Sequence, residues 1–225
     1  MSTTLRFLID DCDEIVATVS AVLAAGAFEL DHRPSVVLSE TNLQYEQPDR
    51  LSDQGWMDGQ QIVAVHRLHN GDVAHHFDGK ETAFRVGDRV RIRLDRERRE
   101  VQSRLLCAGR LIQFIGPQVV AGFTVVDSDF RPHRGKIEFG HPEYIPLSDS
   151  IADSFDAALC KLLNCDLPVT ISPLADGPFA YVMIGNCIRF KCTSAYPKSV
   201  RDVGPIRIRR LVAIGGRLQV RFGLG

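Results

Sequence analysis

Apolar and polar residues alternate along much of residues 1–94, a pattern that predicts short strands. Val90, Ile92 and Leu94 alternate with arginines, so one side of their strand is expected to face a core. The turn pair Asn70-Gly71 between two apolar runs predicts a hairpin. The predicted strands are Leu5–Ile9, Ser35–Ser39, Ile62–Leu68, Asp72–Phe77 and Arg89–Leu94. Glu14–Leu23 fits a helix or a strand, and a small barrel or curled sheet fits the whole region.

The spacing of apolar residues changes to that of a helix after Asp95, which is a suitable N-cap. The apolar side of this first helix comprises Val101, Leu105, Ala108, Leu111 and Ile112. Gly116-Pro117 is expected to stop it, because proline removes a backbone donor. A second amphipathic helix is predicted over Ser148–Asn164.

The remaining apolar runs of the second half predict an antiparallel sheet. The strands are expected at Val119–Val126, Lys136–Phe139, Pro168–Ile171, Tyr181–Ile184, Ile188–Lys191, Ile206–Ala213 and Arg217–Phe222. The sequence therefore predicts an α+β protein with two domains. Residues 1–94 form a small β-barrel-like domain, and residues 95–225 form an antiparallel sheet packed with two main helices.

Composition places the chain among ordinary globular proteins. It has 225 residues, of which 44% are hydrophobic and 24% charged, which excludes disordered and collagen-like classes. No apolar run approaches the roughly 18 residues of a membrane span. The first residues lack the apolar core of a signal peptide, so a cytoplasmic location is expected, with six reduced cysteines.

Charge is distributed unevenly, although the net charge is only −1. Residues 85–110 carry nine arginines against four acids, and residues 198–225 carry seven basic residues against one acid. Two basic segments suit local binding of an anion. The alternative, favoured by charge alone, is a solvated surface of salt bridges.

Common catalytic and nucleotide-binding motifs are absent. The sequence has no P-loop, no GxGxxG after a strand, no HExxH and no GxSxG. The histidines form no HxxxH pair on a predicted helix, and His75 and His76 are adjacent on a strand, so they cannot chelate one ion together. We therefore interpret the histidines as surface residues.

Several longer segments follow one another in a recognisable order. They are VLSETNLQYEQPDRLSDQG at Val37–Gly55, VGD at Val86–Asp88, DRERR at Asp95–Arg99, LCAGRLI at Leu106–Ile112, RGKIEF at Arg134–Phe139, CTSAY at Cys192–Tyr196 and VGPIRI at Val203–Ile208. In order and spacing they resemble the freestanding alanyl-tRNA editing proteins (AlaX-type). These proteins share a domain with alanyl- and threonyl-tRNA synthetases. The resemblance covers nearly the whole chain and implies the editing-domain fold.

The departures from this family concern its zinc site. The resemblance places the family's four zinc ligands at Leu106, Arg110, Cys192 and Tyr196. Only the cysteine among them is an ordinary ligand, so neither a metal nor another cofactor is expected. The family's glycine-rich loop is also replaced, by Gln47–Arg50. The resemblance therefore implies an editing fold without its zinc hydrolase site.

The resemblance also implies roles for the altered pocket. Arg110 would bind an anion or carboxylate, Tyr196 would orient or protonate a substrate, and Cys192 would be a nucleophile. The expected substrate contacts are Thr41, Gln47, Arg50, Asp53 and Cys107. The expected RNA contacts are Arg98, Arg99, Arg104, Arg207, Arg209 and Arg210. The alternative is a filled site in which Leu106 packs, Arg110 pairs with an acid such as Asp53, and Cys192 is inert.

Three functional hypotheses follow. The first is a repurposed, metal-independent protein that acts on or binds aminoacyl-tRNA or an amino-acid-derived small molecule, within a specialised biosynthetic pathway. The second is a trans-editing deacylase that hydrolyses mischarged tRNA. The third is a non-catalytic binding or scaffold protein. Neither DNA nor a membrane is an expected partner, and a homodimer is left open.

Overall fold

The structure, a computed structural model, describes residues 3–27, 32–141, 149–175, 179–214 and 216–225. The chain divides into two compact units. Unit 1 consists of Met1–Arg99, Ser172–Ala180 and Thr193–Ala195, and unit 2 of Glu100–Ile171, Tyr181–Cys192 and Tyr196–Gly225. Two short segments from the second half of the chain thus belong to unit 1.

The described residues of unit 1 form a closed barrel of six strands. The strands of the unit are β1 (Thr4–Leu5), β2 (Glu14–Leu23), β3 (Ser35–Leu38), β4 (Glu40–Thr41), β5 (Gly55–Met57), β6 (Gln60–Arg67), β7 (Val73–Phe77) and β8 (Arg89–Leu94). The barrel order is β2-β3-β7-β6-β5-β8, and antiparallel pairing of β8 with β2 closes it. The predicted small barrel is confirmed, and the segment left open between helix and strand is β2.

Two local signals in the sequence account for parts of this barrel. Strand β8 buries Val90, Ile92 and Leu94 and exposes its arginines, as the alternation predicts. The predicted hairpin joins β6 to β7, with the Leu68 amide donating to the Asp72 carbonyl at 2.8 Å. Gly71 adopts a φ of 92°, which glycine accepts without steric cost.

The first predicted strand is shorter than expected. Only Thr4–Leu5 is a strand, and Arg6–Leu8 forms a 3₁₀ turn in which Phe7 and Leu8 are both buried. The amides of Ile9 and Asp10 both donate to the Arg6 carbonyl at 2.8 Å, which is the local hydrogen bonding of a helical turn and not of a strand. The prediction of a strand through Ile9 is wrong for this reason.

The histidines of β7 lie inside the protein. His75 and His76 are fully buried, and so are the other residues of this strand. Strand β7 pairs on both edges, with β3 and with β6. The rings of His66 and His76 lie 4.9 Å apart. The interpretation of His75 and His76 as surface residues is therefore wrong.

The described part of unit 2 contains two helices and two sheets. Its elements are α1 (Arg96–Val119, in unit 2 from Glu100 onward), β9 (Thr124–Asp129), β10 (Lys136–Gly140), α2 (Asp149–Leu163), β11 (Val169–Pro173, in unit 2 up to Ile171), β12 (Ala180–Ile184, in unit 2 from Tyr181 onward), β13 (Ile188–Cys192), β14 (Ile206–Ile214) and β15 (Arg217–Leu224). One sheet has the antiparallel order β14-β15-β10-β9, and the other the order β11-β12-β13. The predicted combination of an antiparallel sheet with two helices is confirmed.

Helix α1 begins where the sequence predicts. The Asp95 carboxylate accepts a hydrogen bond from the Arg98 amide at 3.1 Å, which is the geometry of an N-cap. The predicted apolar positions from Leu105 to Ile112 are buried in the core of unit 2. Val101 is 36% exposed and does not belong to the buried side.

The predicted end of α1 is wrong, because the helix continues through Pro117 to Val119. Gly116 serves close packing there: a Cβ at this position would collide with the ring of Phe139. Pro117 is exposed and lies within the last turn, where its missing amide removes only one hydrogen bond. The following strand consequently starts at Thr124, later than predicted.

Adding one methyl group at Gly116 is expected to destabilise unit 2. The Gly116→Ala variant should lose about 1–3 kcal/mol of unfolding free energy, because the new Cβ overpacks against Phe139. Urea unfolding measures the loss, and the exposed Gln118→Ala substitution is the control. In the Gly116→Ala/Phe139→Leu double variant the two losses should be less than additive. Additive losses would contradict the proposed contact.

Helix α2 packs its apolar side on the core of unit 2. Phe155 and Leu159 are buried, and the Phe155 ring lies 6.0 Å from that of Phe139. The predicted helix is confirmed over Asp149–Leu163, while the expected first residue, Ser148, lies outside the described residues. In the described ranges, no helix has the length and apolar content that a membrane crossing requires.

Candidate functional site

Unit 2 brings four of the predicted pocket residues into one apolar cluster. Leu106 and Cys107 come from α1, Cys192 ends β13, and Tyr196 follows it. All four belong to the buried core of the unit. The largest exposed fraction among them is 7%, at Tyr196. Leu106 packs in this core, as predicted by the alternative in which the former site is filled.

Arg110 lies one helical turn after Leu106 and is held between two aromatic rings. Its Cζ lies 5.3 Å from the ring centre of Phe130 and 4.9 Å from that of Phe190. Its Nη1 donates to the Gln113 side-chain oxygen at 2.8 Å. These contacts restrict the position of the guanidinium, a group that recognises a carboxylate or phosphate.

One buried donor of Arg110 lacks an acceptor in the part of the chain that the structure describes. Its Nε is buried and has no hydrogen-bond partner among the described residues. Buried polar atoms in native proteins are nearly always hydrogen-bonded, so such an atom requires an explanation. An oxygen atom of a ligand would satisfy it.

Phe190 connects Arg110 to the predicted tyrosine. The rings of Phe190 and Tyr196 lie 5.4 Å apart. Neither Phe190 nor Phe130 was predicted as a pocket residue. For Phe190 a signal existed, because it precedes Cys192 by two residues on one strand and therefore shares its face. For Phe130, no local pattern indicated a contact with α1.

The thiols of the cluster lie in apolar surroundings. Burial raises the pKa of Cys107 to about 12, so this thiol is neutral at physiological pH. Cys192 is 6% exposed and lies within the same apolar cluster. The surroundings favour ligand binding over nucleophilic attack.

The four positions at which the resemblance places zinc ligands do not carry a zinc-binding set of side chains. Leu106 has no donor atom, Arg110 is a cation, and the remaining pair is one thiol and one phenol. Across the described ranges, no three histidine, cysteine or acidic residues are grouped so that they could hold a metal ion.

In unit 1, the segment Gln47–Arg50 forms a tight turn. The backbones of Gln47 and Arg50 exchange hydrogen bonds of 3.1 Å across Pro48 and Asp49, and proline suits the second position of such a turn. The Arg50 Nη2 donates to the Gln47 side-chain oxygen at 2.6 Å, and the Gln47 amide donates to the Thr193 hydroxyl at 2.6 Å. The two predicted substrate contacts Gln47 and Arg50 thus lie together.

Thr41 and Asp53, the other predicted substrate contacts in unit 1, are buried and engaged within that unit. The Thr41 hydroxyl lies 2.8 Å from Nε2 of His75. The Asp53 carboxylate pairs with Arg99, and both side chains are 1% exposed. Asp53, the acid that the sequence suggested as a partner of Arg110, is thus the partner of Arg99. We therefore leave Thr41 and Asp53 out of the proposed ligand contacts.

The six predicted RNA contacts fall into three groups. Arg99 is buried with Asp53, so its guanidinium is not accessible to a phosphate. Arg98 and Arg104 are half-buried and donate to the backbone carbonyls of Ser52 and Val203. The remaining three, Arg207, Arg209 and Arg210, are exposed on β14. The structure thus leaves the arginines of β14 as the most accessible of the set.

Comparison with known proteins finds a distant sequence similarity. No family model matches the chain. The chain is 29% identical over 178 residues to the alanine–tRNA ligases of two strains of Thermus thermophilus. The match covers 73% of this chain and 19% of each ligase, so the chain spans about a fifth of their length. This similarity supports a relation to the alanyl-tRNA synthetases.

Proposed function

We propose that this chain is a divergent relative of the AlaX-type editing proteins in which the position of the zinc site has become a metal-independent ligand pocket. Its ligand is the aminoacyl end of a tRNA or an amino-acid-derived small molecule. The similarity to alanine–tRNA ligase and the ordered motifs support this relation. On this proposal, the barrel and the α+β unit correspond to the editing-domain fold.

Arg110 carries the proposal. Its guanidinium is fixed between Phe130 and Phe190, and its buried Nε has no acceptor among the described residues. A carbonyl or carboxylate oxygen of an aminoacyl group supplies the missing acceptor. The bond is charge-assisted, and such bonds are roughly twice as strong as neutral ones. Tyr196, next to Phe190, contributes a phenol to the same cluster.

The predicted result is that Arg110 makes charged tRNA bind more tightly than uncharged tRNA. Filter binding with Ala-, Ser- and Gly-tRNA(Ala), Ser- and Thr-tRNA(Thr) and their deacylated forms measures this preference. The Arg110→Gln variant should weaken binding of the preferred charged tRNA by at least about tenfold, through loss of a charge-assisted hydrogen bond. Binding of the deacylated form should not change.

A matched control is Arg189→Gln. Arg189 also stacks on an aromatic ring, with its Cζ 4.1 Å from the centre of the Tyr181 ring, but it lies outside the pocket. Equal affinities for charged and deacylated tRNA across the panel would contradict the proposal. So would equal effects of the two substitutions. Release of amino acid in the presence of a chelator would make the protein a metal-independent deacylase.

A further inference from the structure

A second candidate site lies on the four-stranded sheet of unit 2. Here the sheet and the loop before β10 line a groove of about 530 Å³. Five basic side chains contribute to its wall, with Asp129 as the acid among the described lining residues. The basic residues are Arg134, Lys136, Arg209, Arg210 and Arg221. The groove is thus strongly cationic, although the net charge of the chain is close to zero.

Three of these cations are direct neighbours across strands. In the strand register, Arg210 of β14 lies opposite Arg221 of β15, and Arg221 lies opposite Lys136 of β10. Residues directly opposite share one face of a sheet, and like charges in such pairs destabilise it. Lys136 has carboxylate partners of its own, so among the described residues the uncompensated like-charge pair is Arg210 and Arg221, which an anion bound between them would stabilise.

A β-bulge increases the charge at this point. The register of β14 against β15 shifts between Ile208 and Arg210, so that Arg209 is the extra residue beside the pair. Both Arg209 and Arg210 line the groove. A side chain in place of Gly223 would collide with the Arg209 guanidinium, so the glycine allows the arginine to lie close to the backbone of β15.

The acids near the groove are engaged by Arg131 and by two of the five groove cations, Arg134 and Lys136. Asp129 pairs with Arg131 at 2.7 Å and with Arg134 at 3.4 Å. Lys136 pairs with Asp127 at 2.8 Å and with Glu138 at 3.1 Å. Within the described ranges, no ion pair neutralises Arg209, Arg210 or Arg221. Three guanidinium groups are therefore available to an anion.

Arg221 is also held in place by a chain of hydrogen bonds. Its Nε donates to the Gln219 side-chain oxygen at 2.6 Å. The Gln219 amide in turn donates to Glu138 at 2.8 Å. These bonds use the Nε of Arg221 and leave its two terminal nitrogens for a ligand. Such orientation reduces the entropy that the arginine loses on binding.

We propose that this groove binds closely spaced phosphate groups, either of a free oligophosphate or of consecutive phosphodiesters in RNA. Guanidinium groups bind phosphate oxygens through paired hydrogen bonds, and several phosphates are needed to match several cations. The site stands on residues other than the Arg110 pocket. Its function is therefore separable from the aminoacyl group.

Inorganic tripolyphosphate tests the shared chemistry. At constant ionic strength, it should raise the Tm of the wild-type protein, and calorimetry should give a saturable Kd. The Arg210→Gln/Arg221→Gln variant should bind at least about tenfold more weakly and lose the Tm shift. Its Tm without ligand should equal or exceed that of the wild type, because a like-charge pair is removed. If these arginines instead only stabilise the fold, the Tm of the double variant without ligand should be lower than that of the wild type.

The control is Arg201→Gln, which removes one positive charge at a side chain that is 79% exposed and outside the groove. Equal effects of the control and the double variant would overturn the proposal, as would the absence of binding by wild type. The preference for charged over deacylated tRNA, measured for the Arg210→Gln/Arg221→Gln variant, tests the aminoacyl pocket separately and distinguishes failure of this site from failure of that pocket.

A single-stranded RNA oligonucleotide, without an aminoacyl group, distinguishes the two phosphate sources. If RNA is the ligand, it competes with tripolyphosphate for the groove. The slope of log affinity for RNA against log salt concentration should then be smaller in the double variant than in the wild type, by roughly one to two. If only tripolyphosphate binds, the groove serves a free oligophosphate. If RNA binds with equal affinity to the wild type and the double variant, RNA is excluded as the source of the phosphate groups in the groove.

Discussion

Replacing Asp53 with asparagine should lower the free energy of unfolding of unit 1 by about 3 kcal/mol. Asp53 and Arg99 are each 1% exposed, and Oδ2 of Asp53 accepts from two nitrogens of Arg99 and from the Gln44 amide. The substitution preserves the shape of the side chain but leaves a buried guanidinium without its main counter-charge. Asp11, which also contacts Arg99, is 42% exposed and compensates only in part.

Urea unfolding followed by the fluorescence of Trp56 measures this effect. Trp56 is the one tryptophan of the chain and lies in β5 of the barrel. Asp13→Asn is the matched control, because it removes an acid that is 65% exposed and pairs with Arg96. Exposed pairs contribute about 0–1 kcal/mol. Equal losses of unfolding free energy in the two variants would contradict the prediction that burial makes the Asp53–Arg99 pair more stabilising than an exposed pair.

Lowering the pH should destabilise the barrel through His75. Burial, followed by the charge of neighbouring His76, lowers the pKa of His75 from 6.5 to about 4. Its Nδ1 lies 3.1 Å from the Val36 carbonyl and therefore carries the proton, while Nε2 accepts from the Thr41 hydroxyl. The folded protein thus holds a neutral imidazole that unfolding allows to protonate.

The sign of the pH effect follows from these values. Because the pKa of His75 is lower in the folded chain, the unfolded chain binds more protons as the pH falls from 6.5 through 4. The stabilising contribution of neutral His75 is fully present above pH 6.5 and is lost as the pH falls from 6.5 to about 4. The contribution of His75 should fall by about 2 kcal/mol between about pH 7 and about pH 5, and by about 3 kcal/mol in total.

The measurement is the free energy of unfolding against pH for wild type and His75→Gln. The variant should lack the part of the decline that belongs to His75, whatever its stability at neutral pH. His69→Gln, at an exposed histidine, should follow the wild-type curve. A His75→Gln curve parallel to that of the wild type would refute the assignment.

Repeating local patterns allowed most elements of the fold to be predicted. The alternation in β8, the turn at Asn70-Gly71 and the apolar side of α1 each depend on residues close together in the sequence. The same reasoning failed at Gly116-Pro117, which was predicted to end α1 because glycine and proline disfavour helices. In the folded protein the helix continues, and Gly116 allows close packing against Phe139. The collision partner, Phe139, lies on another element, so no local pattern reveals that the glycine fits a helix.

The charged and polar residues show a second limit of local reasoning. Arg99 stands in a basic segment and was predicted to bind RNA, yet it is buried with Asp53, 46 positions earlier in the chain. His75 and His76 are buried because β7 has partners on both sides. In each case the environment is determined by residues that are distant in sequence.

For the pocket, the sequence indicated positions but not their surroundings. Helical spacing placed Leu106 and Arg110 on one side of α1, and Leu106 is in the core. No pattern along the chain indicated that Arg110 would lie between two phenylalanine rings. Whether Cys192, Tyr196 and Arg110 contact a ligand stays a prediction, and the binding experiment tests it.

The bulge of β14 has a further consequence for the behaviour of the protein at high concentration. Strand β14 is the last in the order of its sheet, and an edge strand presents unpaired backbone groups that a second chain can join. Consecutive arginines and an irregular register at Arg209-Arg210 make that edge unsuitable for continued pairing. The segment that concentrates positive charge thereby also protects the sheet against aggregation.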